Sequence, residues 1–141
     1  MTPNKIAGAI ALGMLSVWGN GHAAEKSDFG KHEYESKCAV CHGLEGRGNG
    51  AMAAVLKTRV SNLTYLSKNN NGVFPFQRVY EIIDGTDVLP AHGTREMPIW
   101  GQEYRADYIQ KAYFDAPFDA EAYVRAHILA LIEYISRLQA N

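Results

Sequence analysis

Five consecutive residues, Cys38-Ala39-Val40-Cys41-His42, contain both cysteines of this 141-residue chain and constrain its interpretation more than any other segment. Two cysteines at this spacing are compatible with a disulfide or with a thioredoxin-like redox pair. The histidine that follows favours a third possibility, because C-x-x-C-H is typical of covalent haem attachment. A thioredoxin-like pair would also need a βαβ context, and the sequence around the motif has none.

The spacing of the motif has a direct physical explanation. Two thiols on one helical turn can reach the two vinyl groups on one edge of a porphyrin, and the next residue is then carried beneath the iron. Because the attachment is covalent, the imidazole is held there at little further entropic cost. We therefore predict one haem c, bound through Cys38 and Cys41, with His42 as an axial ligand of the iron.

The composition and the first residues indicate an exported globular protein. Hydrophobic residues make up 47% and charged residues 21%, and the net charge of −1 provides no basic surface for nucleic acid.

The first residues predict a secretory signal peptide over 1–23, with cleavage after Ala24 as an alternative. The prediction depends on the positive charge of Lys5, on the uncharged segment 6–18 and on the small residues of Gly21-His22-Ala23. We expect a single periplasmic domain over 24–141. An uncleaved anchor is the less favoured alternative, because segment 6–18 is too short to span a bilayer comfortably, so no stable membrane insertion is expected.

The rest of the chain has helical periodicity, and no run has the alternation of a β-strand. Asp28 is positioned to cap a helix that runs into the motif, and Asp119 to cap the last helix. Another helix is predicted to open with Pro75 and to stop at Gly85. A short helix is predicted over 51–57, and an irregular loop over 85–100. The fold class is therefore all-α, and the apolar stripes predict these core residues: Phe76, Val79, Tyr80, Ile83, Val124, Ile128, Leu131, Ile132, Tyr134, Ile135 and Leu138.

The second axial ligand has to come from Met52, Met97, His32, His92 or His127. Met97 is favoured, because it follows a helix and a long loop that can cross to the other face of a haem, and Pro98 stiffens the backbone after it. Met52 is better explained as a core residue, and His32 and His127 as residues at the surface or beside the ligands. His92 and an open sixth position remain alternatives. A thioether ligand would favour Fe(II) and would leave no vacant site for oxygen.

Taken together, these features resemble class I cytochromes c, specifically the bacterial periplasmic monohaem type, over about residues 28 to 139. The resemblance implies the cytochrome c fold, in which a few helices and long loops wrap round one haem and the first and last helices cross closely. It also implies that His42 and Met97 ligate the iron and that Trp100 lies near the propionates. The motifs that carry it are Gly30-Lys31-x-x-Tyr34, Cys38 to Gly43, the Gly46/Gly48/Gly50 loop, Met97-Pro98-Ile99-Trp100 and Leu131-Ile132-Glu133-Tyr134-Ile135.

Two segments depart from the pattern of that family. Prolines often follow the glycine loop in the family, where a backbone carbonyl accepts the proton of the proximal histidine, but residues 59–62 contain none. The sequence therefore does not identify the acceptor. The second departure is the stretch 103–115, which lengthens the route to the last helix and is rich in acidic and aromatic residues. We expect the segment 103–118, which includes it, to be either a partner surface or a solvated cover over the haem edge.

The function implied is electron transfer and not catalysis. A free periplasmic carrier would take electrons from a dehydrogenase or membrane complex and pass them to an oxidase or reductase. We expect a monomer, because core contact alone explains the regular spacing of the last helix. The alternatives are a haem subunit fixed in a dehydrogenase or oxidase complex, or a ligand sensor or small peroxidase with an open or labile sixth position.

Overall fold

The computed structural model describes residues 27–86, 97–112 and 119–140. These residues form helices joined by loops and contain no strand, so the all-α class is confirmed for the described part. The predicted signal peptide over 1–23 lies outside the described residues. The α-helices are α1 (Phe29–Lys37), α2 (Ala39–His42), α3 (Phe76–Asp84), α4 (Trp100–Ala112) and α5 (Ala120–Arg137), and short 3-10 helices occur at Ala51–Ala54, Leu63–Tyr65 and Lys68–Asn70.

The predicted helix ends are confirmed by their capping contacts. The carboxylate of Asp28 accepts from the backbone N–H of Lys31 at 2.9 Å, and Asp119 accepts from that of Glu121 at 2.9 Å. Gly85 ends α3 with a φ of +89°, in the left-handed region that glycine adopts without strain. The helix predicted over 51–57 is wrong in extent, since only a 3-10 turn over Ala51–Ala54 forms.

The first and last long helices cross at close range. A Cβ added at Gly30 in α1 would collide with the carbonyl oxygen of Ala130 in α5, so only glycine permits this approach. Tyr34 is fully buried at the crossing, and its ring lies 5.1 Å from that of Tyr134, centroid to centroid. Leu131 is also fully buried, as its place in the apolar stripe predicted.

The predicted core is correct for most positions of α3 and α5, with one clear error. Phe76 is 47% exposed, because the buried residues of α3 lie in its later turns and its first turn projects past the core. Tyr80 and Leu138 are half-buried and pack against the core. The remaining predicted core residues are buried: Val79, Ile83, Val124, Ile128, Leu131, Ile132, Tyr134 and Ile135.

Helix α4 corrects the prediction of an irregular loop at residue 100 and the prediction for 103–112, whereas residues 87–96 of the predicted loop and residues 113–115 lie outside the described residues. Trp100 is the first residue of this helix and not part of an irregular loop. Tyr104 is 1% exposed, so the segment expected at the surface contributes a core residue, whereas Ile109 is 65% exposed. Arg105 joins three helices, since its guanidinium lies 3.4 Å from Asp84 in α3 and 2.8 Å from Glu121 in α5. Within the described ranges, no helix is both long enough and apolar enough to cross a membrane.

Candidate functional site

The two cysteines and the histidine of the motif lie on one helical turn. Helix α1 ends at Lys37 and is capped by Cys38, and the backbone N–H groups of Cys41 and His42 bond to the Cys38 carbonyl at 3.1 and 2.9 Å. Cys38 is 9% exposed, and burial raises the pKa of its thiol to about 12. Neither cysteine is in a disulfide. A reactive redox dithiol needs a lowered thiol pKa in an electropositive surrounding, so the setting of Cys38 does not favour the thioredoxin-like alternative.

The imidazole of His42 is oriented by a backbone carbonyl. Its Nδ1 lies 3.0 Å from the carbonyl oxygen of Ser61, and coordination of a metal would then use Nε2. Ser61 belongs to the proline-free segment 59–62, in which the sequence did not identify an acceptor. The structure therefore supplies the contact that sequence reasoning missed.

The glycine loop brings Ser61 to the histidine. The backbone N–H of Gly48 bonds to the carbonyl of His42 at 2.8 Å, so the loop folds back over α2. A Cβ at Gly48 would lie only 2.6 Å from the carbonyl oxygen of Val60, which means that the loop and segment 59–62 are in direct backbone contact. The N–H of Leu63 bonds to the carbonyl of Gly46 at 2.7 Å and continues this pairing. The glycine loop therefore packs in a fixed register against segment 59–62.

Two neighbouring, mostly apolar pockets share several of the predicted site residues, and we call these pockets the two lobes of one cavity. Cys38, His42, Ser61 and Met97 line both lobes. The cavity volume is about 60 Å³ in the first lobe and about 450 Å³ in the second, and the second lies within the range of about 300–1,000 Å³ typical of small-molecule sites. The first lobe adds Cys41, Leu56, Val60, Pro98 and Trp100, and the second adds Leu63, Leu66, Pro75, Val79, Ile82, Ile83 and Ile135.

The donor set of this cavity fits an iron porphyrin. Two thiols lie in its wall, and its lining includes one imidazole and one thioether from segments far apart in the sequence. The described residues contain no group of three or more His, Cys, Asp or Glu arranged to hold a metal ion. An iron porphyrin needs no such group, because the macrocycle supplies four donors and the protein supplies at most two.

Charged side chains occur at the edges of both lobes. Lys37 and Arg59 line the first lobe together with Trp100, and Arg78 lines the second. Carboxylates such as those of a haem could pair with these cations. The placement of Trp100 in the cavity wall is compatible with its predicted position near the propionates, which stays a prediction.

The other candidate ligands lie away from the cavity or outside the described residues. Met52 is 44% exposed and does not line the cavity, so its predicted core position is wrong. His32 is exposed, as expected. His127 is not at the surface: its side chain is 12% exposed and packs against the rings of Phe29, Tyr104 and Tyr123. His92 lies outside the described residues.

A buried carboxylate beside the cavity was not predicted from the sequence. Glu33 in α1 is 5% exposed, and its Oε2 lies 2.7 Å from the Tyr104 hydroxyl, 3.2 Å from Lys37 Nζ and 3.1 Å from His127 Nδ1. The contact with His127 has ion-pair distance without hydrogen-bond geometry. Burial alone would raise the pKa of Glu33, but Tyr104, His127 and Lys37 outweigh it and hold that pKa below its ordinary value.

The two hydrogen-bonded partners differ in protonation: the carboxyl group of Glu33 is ionised, and the hydroxyl group of Tyr104 keeps its proton. Burial, and then the hydrogen bond to Glu33, raise the pKa of the Tyr104 hydroxyl far above its usual value. At neutral pH, Tyr104 is therefore a donor and Glu33 is a charged acceptor. The sequence signal available for the buried carboxylate was the i, i+4 spacing of Glu33 and Lys37. Glu33 also lies one turn after Gly30, on the face of α1 that crosses α5.

Comparisons with protein-family models, with curated proteins and with solved structures found no match for this chain. The motif, the cavity and the side chains that line it are therefore the features of this chain that indicate a function.

Proposed function

We propose that this chain is a periplasmic electron carrier with the cytochrome c fold. It binds one haem c covalently through Cys38 and Cys41, and His42 and Met97 are the axial ligands of the iron. Its redox partners are a dehydrogenase or membrane complex as donor and an oxidase or reductase as acceptor. It acts as a carrier and not as an enzyme.

One observation carries this proposal. Met97 lies 55 residues after His42 in the sequence, yet both line the same apolar cavity, with the two thiols of the motif in the wall of its first lobe. A disulfide or a dithiol centre would not require a distant thioether or a cavity of this size. A covalent haem with histidine and methionine ligation accounts for all four residues at once.

The residues of the chain would control the electron-transfer chemistry in identifiable ways. A bound haem c supplies a one-electron Fe(III)/Fe(II) couple. The hydrogen bond from His42 to Ser61 fixes the orientation of the imidazole and increases its basicity. The neutral, soft thioether of Met97 favours Fe(II), and the apolar lining disfavours the extra charge of the oxidised state. The thioether and the lining both raise the reduction potential relative to bis-histidine ligation in an open site.

Covalent attachment is the first test of the proposal. The protein is produced in a host that attaches haem c, and its mass and visible spectrum are measured. We expect a mass that exceeds the polypeptide by one haem and a colour that acid–organic solvent does not extract. The double variant Cys38→Ala, Cys41→Ala should lose both properties, whereas Met52→Ala, outside the cavity, should keep them. A colourless wild-type protein, or a double variant with covalent haem, would overturn the proposal.

A further inference from the structure

The segment that carries Met97 leads directly into a helix. We call Met97–Trp100 the strap; its last residue, Trp100, is the first residue of α4. Trp100 and Tyr104 are one turn apart, and their rings lie 6.4 Å apart, centroid to centroid. Because a helical turn is stiff, any contact that fixes Tyr104 also restricts the strap and the thioether of Met97.

Tyr104 is fixed by α1, the helix that leads into the first cysteine. Its hydroxyl donates to Glu33 Oε2 at 2.7 Å, and Glu33 precedes Cys38 by five residues in α1. Tyr104 is 1% exposed and Glu33 is 5% exposed, so water cannot readily replace this bond. The bond therefore connects the helix that leads into the attachment motif to the helix that begins with the strap.

Stability alone does not explain a charged carboxylate at this position. A buried ionised group costs free energy unless it is paired, and an apolar residue of similar volume is often as stable. A charge-assisted hydrogen bond adds a fixed direction, which an apolar contact lacks. A second polar anchor of α4, Arg105 with Asp84 and Glu121, lies further out, since the Arg105 side chain is 36% exposed.

We infer that Glu33 and Tyr104 are positioning residues: their buried hydrogen bond holds the strap so that Met97 stays on the iron. The inference rests on the proposed function, because it assumes that Met97 is the sixth ligand. Neither residue touches the iron. They act on the equilibrium between a state in which Met97 is bound and a state in which the strap has moved away.

Imidazole binding to the oxidised protein measures this equilibrium. An external ligand competes only when Met97 has left the iron, so its apparent affinity rises with the open fraction. Tyr104→Phe keeps the ring and removes the hydroxyl. Loss of a hydrogen bond to a charged group should increase the apparent imidazole affinity by at least about tenfold. The charge-transfer band of the sulfur–iron(III) bond, near the red end of the visible spectrum, should weaken in parallel.

Three further variants make the experiment specific. Glu33→Gln keeps an acceptor oxygen for Tyr104 and should change the imidazole affinity less than Tyr104→Phe does. If Tyr104→Phe gives no haem-loaded protein, Glu33→Leu removes the acceptor in place of the donor and should give the same increase. Tyr123→Phe is the matched control, because it removes another tyrosine–carboxylate bond, 2.6 Å to Asp107, that joins α5 to α4 away from the strap. It should leave the imidazole affinity unchanged.

The possible outcomes separate this inference from the proposed function. If the wild-type protein carries covalent haem but lacks the sulfur–iron band, the assignment of Met97 fails. If the band is present and Tyr104→Phe leaves the imidazole affinity unchanged, only the role of Glu33 and Tyr104 fails. An equal increase in Tyr123→Phe would also overturn it, since the effect would then be general loosening of α4.

Discussion

Replacing Gly30 with alanine tests the helix crossing on which the cavity depends. The new Cβ would lie 3.0 Å from the carbonyl carbon of Ala130 and 3.2 Å from the Cβ of Tyr134, and it would be closer still to the Ala130 oxygen. Carbon atoms in good contact are about 3.5–4.0 Å apart, so α1 and α5 would have to separate by roughly 1 Å. Two of the obstructing atoms belong to the backbone of α5 and cannot rotate away.

The size of the effect follows from two opposing contributions. Overpacking a well-packed interface typically costs about 1–3 kcal/mol, and the clash with the backbone of Ala130 places this substitution at about 2–3 kcal/mol; alanine recovers at most about 1 kcal/mol relative to glycine within a helix. The free energy of unfolding should therefore decrease by about 1–2 kcal/mol. For a domain of this length, that corresponds to a melting midpoint lower by roughly 4–8 °C.

The assay is unfolding of the oxidised protein by urea and by heat, with far-ultraviolet circular dichroism as the measured signal. Glu35→Ala, on an exposed position of the same helix, is the control and should stay within about 0.5 kcal/mol of the wild type. An unchanged or higher midpoint for Gly30→Ala would refute the reasoning, because it would mean that α1 and α5 do not approach as closely as described.

Three further predictions concern the ligand, the buried carboxylate and export. Met97→Ala should abolish the sulfur–iron(III) band, lower the reduction potential in a redox titration and let the reduced protein bind CO quickly. The control His92→Ala should cause none of these changes. Rapid CO binding by the wild-type protein would instead favour a sensor or peroxidase. The folded-state pKa of Glu33 lies below its ordinary value of 4.5, so its stabilisation of the fold is present above that pH and is lost as the pH falls through the folded-state pKa. Glu33→Gln should therefore reduce the acid dependence of the melting midpoint below pH 4.5, and an equal slope in both proteins would contradict the assignment. N-terminal sequencing of the periplasmic fraction should begin at Ala24 or Glu25, and membrane-bound protein that retains residues 1–18 would favour the anchored alternative.

Local patterns predicted much of the fold, because the relevant forces act over short distances along the chain. The caps at Asp28 and Asp119, the stop at Gly85 and the buried stripe of α5 all follow from side chains within one or two helical turns. Helix α4 was missed for the same reason. Its stripe is weak, since Tyr104 is buried by contacts with other helices and not by a periodic apolar face.

The sequence singled out residues that line one cavity, but it did not reveal the contacts that support them. Cys38, Cys41, His42, Met97 and Trp100 all line the cavity, as a motif and a distant methionine suggested. The buried state of His127 was not predicted, because Arg125 beside it indicated a solvated face. The aromatic rings that cover it come from α1 and α4 as well as α5, which no single-helix pattern reveals.

The proline-free segment after the glycine loop shows how one structural requirement can be met in another way. Proline rigidifies a backbone by fixing φ, whereas here the position of Ser61 is defined by contact with the loop. Gly48 adopts a φ of +76° and has no Cβ, so the carbonyls of Val60 and Ser61 can lie against its backbone. The hydrogen bond between Leu63 and Gly46 then fixes the register of the two segments. Because the acceptor for His42 is a carbonyl held between these contacts, the side chain at position 61 is free to vary while the geometry of the imidazole is retained.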